Sequence, residues 1–123
     1  MQTVDVNIVT YNSKQHLLHL VDSLVYQNIP HGSISLHIID NASQDGTIEC
    51  LTELLATRGK KFAKMVIEPS ETNIGFGRAH NRAAKLGSSP FILILNPDTE
   101  LAPNCLSTLL AIARTSNKKV AAW

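Results

Sequence analysis

Apolar residues recur along this chain at two periods, and the periods take turns. Val4-Asp5-Val6-Asn7-Ile8-Val9-Thr10 alternates apolar and polar and then turns apolar, the pattern of a strand. Leu17, Leu18, Leu20, Val21, Leu24 and Val25 follow at helical spacing, with Ser13 placed to cap their helix and Pro30 and Gly32 to end it. Ile34 to Ile39 reads as a second strand, alternating at first through Ser35 and His37. Asp45-Gly46-Thr47 opens a second helix carrying Ile48, Leu51, Leu54 and Leu55, closed near Gly59. Phe62 to Ile67 predicts a third strand. Gly75-Phe76-Gly77 leads into a helix through Ala79, Ala83, Ala84 and Leu86. Phe91 to Leu95 is a fourth strand, Pro103 starts a helix through Leu106, Leu109, Leu110 and Ile112, and Val120-Ala121-Ala122-Trp123 begins a fifth strand. Strand and helix alternate throughout, which predicts a three-layer α/β/α arrangement around a mainly parallel sheet. Residues 1–123 read as one domain, the front part of a longer protein.

Composition changes this picture little. Hydrophobic residues make up 44% of the 123 and charged residues 17%, with a net charge of +1, so there is no strong field to draw nucleic acid. Arg58, Lys60, Lys61 and Lys64 form a local basic cluster, either a solvated loop or a contact for phosphate or a membrane surface. No stretch approaches the roughly 20 apolar residues of a membrane span, and the first residues lack the basic-then-apolar order of a secretory signal. Cys50 and Cys105 have no metal-site spacing and read as free, buried thiols of a reducing compartment. The expected location is cytoplasmic.

Candidate chemistry collects after the strands. Thr10-Tyr11-Asn12-Ser13 follows the first, Asp40-Asn41-Ala42-Ser43 with Asp45-Gly46-Thr47 the second, and Asn96-Pro97-Asp98-Thr99-Glu100 the fourth. A parallel sheet puts all three on one rim, where open α/β sheets bind ligands. Each also has a plainer explanation. Thr10 to Ser13 is also a turn into a capped helix, and Asp40-Asn41 a turn-forming pair. Asp45 is also a helix cap. In Asn96-Pro97-Asp98 the proline biases Asn96 toward extended geometry, and the turn projects Asp98 past the strand end. A carboxylate there suits a divalent cation shared with phosphate oxygens. Gly75 and Gly77 permit close backbone approach at a helix start, and Arg78 either adds a contact to phosphate or lies in solvent. The five histidines form no metal set. His16 and His19 flank the apolar stripe, His31 and His37 read as loop and strand surface, and His80 neighbours the glycine loop.

Together Val9-Thr10-Tyr11-Asn12, Asp40 to Ser43 with Asp45-Gly46-Thr47, Asn73-Ile74-Gly75-Phe76-Gly77 with Ala79 and Asn81, and Asn96-Pro97-Asp98 resemble the inverting GT-A glycosyltransferases of family 2. The resemblance implies a GT-A fold and transfer of sugar from a nucleotide-diphosphate donor to a saccharide or lipid-linked acceptor. Thr10 and Tyr11, with Asn12, would line the base pocket. Asp40 would bind base or ribose, and Asp45 would shape the base-side loop. Gly75, Gly77 and Arg78 would lie near the diphosphate. Asp98 would hold Mg2+ or Mn2+, with Asn96 replacing the first aspartate of the family's Asp-x-Asp motif and left to contact ribose. The Asn-Pro-Asp form is similar to rhamnosyltransferases, which implies a dTDP-rhamnose donor, with UDP-sugars beside it. The acidic base that deprotonates the acceptor is expected beyond Trp123, so these residues would bind donor without efficient transfer. Polysaccharide synthesis at the inner face of the membrane, with peripheral association of the parent protein and self-association through uncovered sheet, completes the expectation. Two rivals remain. A dinucleotide-binding dehydrogenase would need GxGxxG after the first strand, where Tyr11-Asn12-Ser13-Lys14 stands instead. A nucleotide-binding or scaffold module without turnover would keep the fold alone.

Overall fold

The structure is a computed structural model, and it describes residues 3–115. Four strands, β1 (Val4–Thr10), β2 (Ile34–Asp40), β3 (Lys64–Pro69) and β4 (Phe91–Leu95), pair in the order β3-β2-β1-β4, every pair parallel. Helices α1 (Lys14–Val25), α2 (Thr47–Arg58), α3 (Phe76–Ala84) and α4 (Cys105–Thr115) connect or follow them. The expected fifth strand at Val120 to Trp123 lies outside the described residues.

Alternate residues of a strand share a face. Val4, Val6 and Ile8 of β1 and Ile34, Leu36 and Ile38 of β2 face one layer. There they meet Leu17, Leu20, Val21 and Leu24 of α1, Leu51 and Leu54 of α2, and Leu106 and Leu110 of α4. On the other face Val9 and Ile39 pack under Ala79 and Ala83 of α3, whose small side chains let that helix lie close. The stripe on α1 is narrower than the sequence suggests: Leu18 is 46% exposed, because four positions already fill the side facing the sheet.

Three further expectations are corrected. The third strand begins at Lys64 rather than Phe62. Gly59–Lys61 forms a short 3-10 turn, Phe62 is buried in the core, and parallel pairing starts at Ser35 with Lys64. The last helix begins at Cys105, two residues past Pro103, and the buried Gln27 caps it by accepting the Leu106 N–H at 2.9 Å. Both cysteines are free but half-buried.

The largest departure concerns His37, which is fully buried rather than on the surface. Asp5, Asn7, Ser35 and His37 form a buried polar patch beneath the segment that follows α3. His37 Nδ1 lies 2.8 Å from Asn7 Oδ1, and the Ser89 N–H donates to Asp5 Oδ2 at 3.3 Å. Gly87 closes this patch. A Cβ there would lie 2.1 Å from Asp5 Oδ2 and 2.6 Å from His37 Cε1, so only glycine fits. We therefore expect Gly87→Ala to lower stability by about 1–3 kcal/mol, read as a reduced denaturation midpoint.

Burial lowers the pKa of His37, opposed by Asp5 and reinforced by Lys64, and burial alone lowers that of His80. Both groups bind protons more readily in the unfolded chain, whose histidines titrate near 6.5. Their contribution to stability is present above that value and is lost as pH falls through it. Urea midpoints measured on either side of about pH 6.5 are expected to fall on the acid side.

Candidate functional site

The register fixes which strand ends meet. Thr10 pairs with Asp40 and Asp40 with Pro69, while Leu95 pairs with Ile8, two residues before Thr10. Because every pairing is parallel, the segments after β1, β2 and β4 leave from the same edge. Asp40 and the Asn96–Asp98 turn therefore share a rim.

Asp40 is the organising group of that rim. It is 1% exposed. The Thr10 hydroxyl donates to its Oδ1 at 2.7 Å, the Ser43 hydroxyl to the same oxygen at 2.6 Å, and the Ser43 N–H to Oδ2 at 3.0 Å. A carboxylate oxygen accepts two hydrogen bonds, so Oδ1 is filled within the protein and Oδ2 keeps one position. Thr10 is likewise fully buried. Of the polar pair expected to face base and ribose, the structure thus buries both side chains and joins them to each other.

The segments after β1 and β2 are knitted together around them. Asn12 N–H donates to Ser43 Oγ at 2.8 Å, Gln44 N–H to Asn12 Oδ1 at 2.9 Å, and Ser13 N–H to Thr47 Oγ1 at 3.1 Å. Asn12 and Ala42 both adopt positive φ, +48° and +60°, a conformation unusual outside glycine that concentrates at functional sites. Ser13 does not cap α1 with its hydroxyl, which turns back to Tyr11. The carboxylate at the start of α1 comes from across the rim: Asp45 Oδ2 accepts the Lys14 N–H at 3.2 Å. Its Oδ1 accepts the Thr47 N–H at 3.1 Å and the Thr47 hydroxyl. The Thr47 hydroxyl above all, with the backbone N–H groups of Lys14 and Thr47, holds the Asp45 pKa below its ordinary value. Asp45 joins two helix starts, more than the single cap read from the sequence. Tyr11, 55% exposed, presents its ring outward beside this network.

Asn41 attaches α3 to the same edge. Its amide donates to the Gly75 carbonyl at 3.3 Å and accepts the Ile74 N–H at 3.2 Å. Nothing in the sequence singled out Asn41 beyond a turn. Only the crossing of α3 over β2 gives it this role. Gly75 has φ +84° and ψ 169°, a backbone region open essentially to glycine. Gly77 has no positive φ and lies within α3. Gly75, Gly77 and Arg78 are exposed where the helix begins, and the N–H groups of a first helical turn lack partners within the helix.

After β4 the chain turns at once. The Asn96 carbonyl accepts the Thr99 N–H at 3.2 Å and the Thr99 hydroxyl at 2.6 Å, closing a four-residue turn with Pro97 second and Asp98 third. Asn96 and Asp98 are exposed. Glu100, the second carboxylate past the strand, lines a shallow groove against α1 with His19, Asp22 and Tyr26. Among the described residues no three His, Cys, Asp or Glu side chains gather as a metal site. With Asp40 and Asp45 engaged in internal hydrogen bonds, Asp98 is the exposed carboxylate of the turn after β4, and one carboxylate fits a hard cation held jointly with ligand phosphates and not a cage built by protein alone. No helix among the described residues is long and apolar enough to cross a membrane.

A sequence model for glycosyl transferase family 2 matches residues 5–122. Poly(ribitol-phosphate) beta-N-acetylglucosaminyltransferase TarS of Staphylococcus aureus is 27% identical over 99 residues, 80% of this chain and 16% of that protein. Poly(ribitol-phosphate) beta-glucosyltransferase of Bacillus spizizenii is 27% identical over 104 residues, 84% of this chain and again 16% of the relative. The chain thus spans about one sixth of the length of these curated relatives. The crystal structure of S. aureus TarS 1–349 in complex with UDP superimposes with a TM-score of 0.80 at 25% identity, over 91% of this chain and 32% of that one. The mannosyltransferase PcManGT from Pyrobaculum calidifontis, in complex with GDP-Man and Mn2+, superimposes at 0.83 over 89% and 31%. At 21% identity that likeness shows the fold alone. A parallel sheet with polar strand ends gathered on one rim, and a family match running from Asp5 to Ala122, make this chain a member of glycosyl transferase family 2 with the GT-A fold.

Proposed function

We propose that the rim binds a nucleoside-diphospho-sugar, the donor half of a glycosyl transfer carried out by the parent protein. The observation that carries this reading is the register: it brings the Thr10–Asp40 pair, the start of α3 and the Asp98 turn to one edge of the sheet. Tyr11, Asn12 and Asp45 line the base side, with Asp40 holding the loop that shapes it and its Oδ2 open to a ribose or base donor. Gly75, Gly77 and Arg78 offer N–H groups and a cation to the diphosphate. Asp98 binds Mg2+ or Mn2+ against the same phosphates, with Asn96 beside it. A cation there supplies charge neutralisation for the departing diphosphate.

The base of the donor is uracil or thymine. TarS has been crystallised with UDP and with UDP-GlcNAc, and the Asn-Pro-Asp turn supports dTDP-rhamnose. Two relatives act on poly(ribitol phosphate), which makes a polyol phosphate the acceptor class to try beside saccharides.

Titration calorimetry of the chain with UDP, dTDP and GDP, each with and without Mn2+, tests this. Binding of UDP or dTDP that Mn2+ strengthens is expected, and indifference to both nucleotide and cation overturns the reading. Asp98→Asn is expected to abolish the Mn2+ dependence while metal-free binding persists. Gly75→Ala, which forces a side chain into a glycine conformation, is expected to cost about 1–3 kcal/mol and to weaken UDP binding by disturbing the start of α3.

A further inference from the structure

One buried group on α3 has no role in the site just described. His80 keeps only 7% of its surface, and both ring nitrogens are buried without a hydrogen-bond partner among the described residues. A neutral imidazole carries one N–H donor and one acceptor. Leaving such a group unsatisfied costs about 1–3 kcal/mol. An alanine or leucine at this helical position would fill space without that cost.

The ring leans toward the ligand end of the helix. Side chains on a helix tilt toward its N-terminus, and the His80 ring meets that of Phe76, one turn earlier, edge-on with centroids 4.4 Å apart. Phe76 is itself 58% exposed, a large apolar ring in water on the first turn of α3. Exposed side chains change rotamer within picoseconds to nanoseconds. That first turn is the one that Asn41 holds beside Asp40.

We propose that His80 is a donor-contacting residue: once Phe76 rotates aside, its imidazole N–H binds a phosphate oxygen of the nucleoside diphosphate drawn to the start of α3. This rests on the rim being the donor site. Burial alone keeps the free ring below its ordinary pKa. Arg78, Arg82 and Lys85 on α3, Asp5 of β1, Asp40 of β2 and Glu68 of β3, which faces Arg82 at 3.7 Å, add nothing to that shift. A phosphate brought against the ring favours the protonated form, so binding takes up a proton at His80.

The test uses the whole chain with 15N-labelled histidine, titrated with UDP between about pH 6 and pH 7.5, the range in which histidine changes charge. UDP is expected to move the His80 ring nitrogen resonances and raise their titration midpoint. His80→Gln is expected to bind UDP about ten- to a hundredfold more weakly, the loss of one hydrogen bond to a charged group, and to lose the wild-type gain in affinity toward acid pH. Phe76→Ala is expected to bind at least as tightly as wild type. UDP binding that leaves the His80 resonances still, or is equally tight in His80→Gln, overturns the proposal and spares the rim reading. A chain that binds none of UDP, dTDP and GDP overturns the rim reading, and this proposal with it. The resonances of the unaltered chain decide the matter even if a variant fails to fold.

Discussion

A buried carboxylate with three internal donors holds this rim together. Asp40 has almost no contact with water. It gives up hydration to accept bonds from the last residue of β1 and from the segment that follows β2. Charge-assisted bonds of this kind are shorter and stronger than neutral ones, and breaking any of them strands a charge in the protein interior. Parallel strands that end side by side would otherwise release two independent loops. With Thr10, Asp40 and Ser43 locked, the loops become one surface. Asn12, Ser13, Gln44 and Thr47 then take positions determined by that lock.

The sheet asks different things of its two faces. One is filled by branched aliphatics from three helices. The other pairs a short apolar strip under the alanines of α3 with polar side chains further back, under the segment that contains Gly87. That division places the close-packed helix at the rim that carries Asp40 and the polar patch away from it. Where α3 lies over β2, the side-chain amide of Asn41 and close contacts through small alanines set the geometry of the helix start.

The alternation of periods made the fold legible, and among the described residues it located the four strands and four helices within about two residues. What misled was local chemistry judged without neighbours. Ser13 has the identity of a helix cap, yet the capping carboxylate is Asp45, which only the pairing of β1 with β2 brings near. His37 alternates like a surface residue, but a loop distant in sequence covers it. The candidate rim was legible as three polar clusters after strands. Asn41 and the buried state of Asp40 were not, because both depend on which element crosses which strand end, and no spacing in one sequence encodes that.

Among the described strands, β1 lies inside the sheet yet precedes its companions in sequence. Ile8 of β1 can meet Ile38 early in synthesis, but its partner on the other side, Leu95, emerges from the ribosome only after two more helices and a strand. Sheets closed by such distant pairings fold slowly. For much of translation, therefore, one edge of β1 has unpaired backbone N–H and C=O groups. Until β4 arrives, that edge is open to pairing with a neighbouring chain.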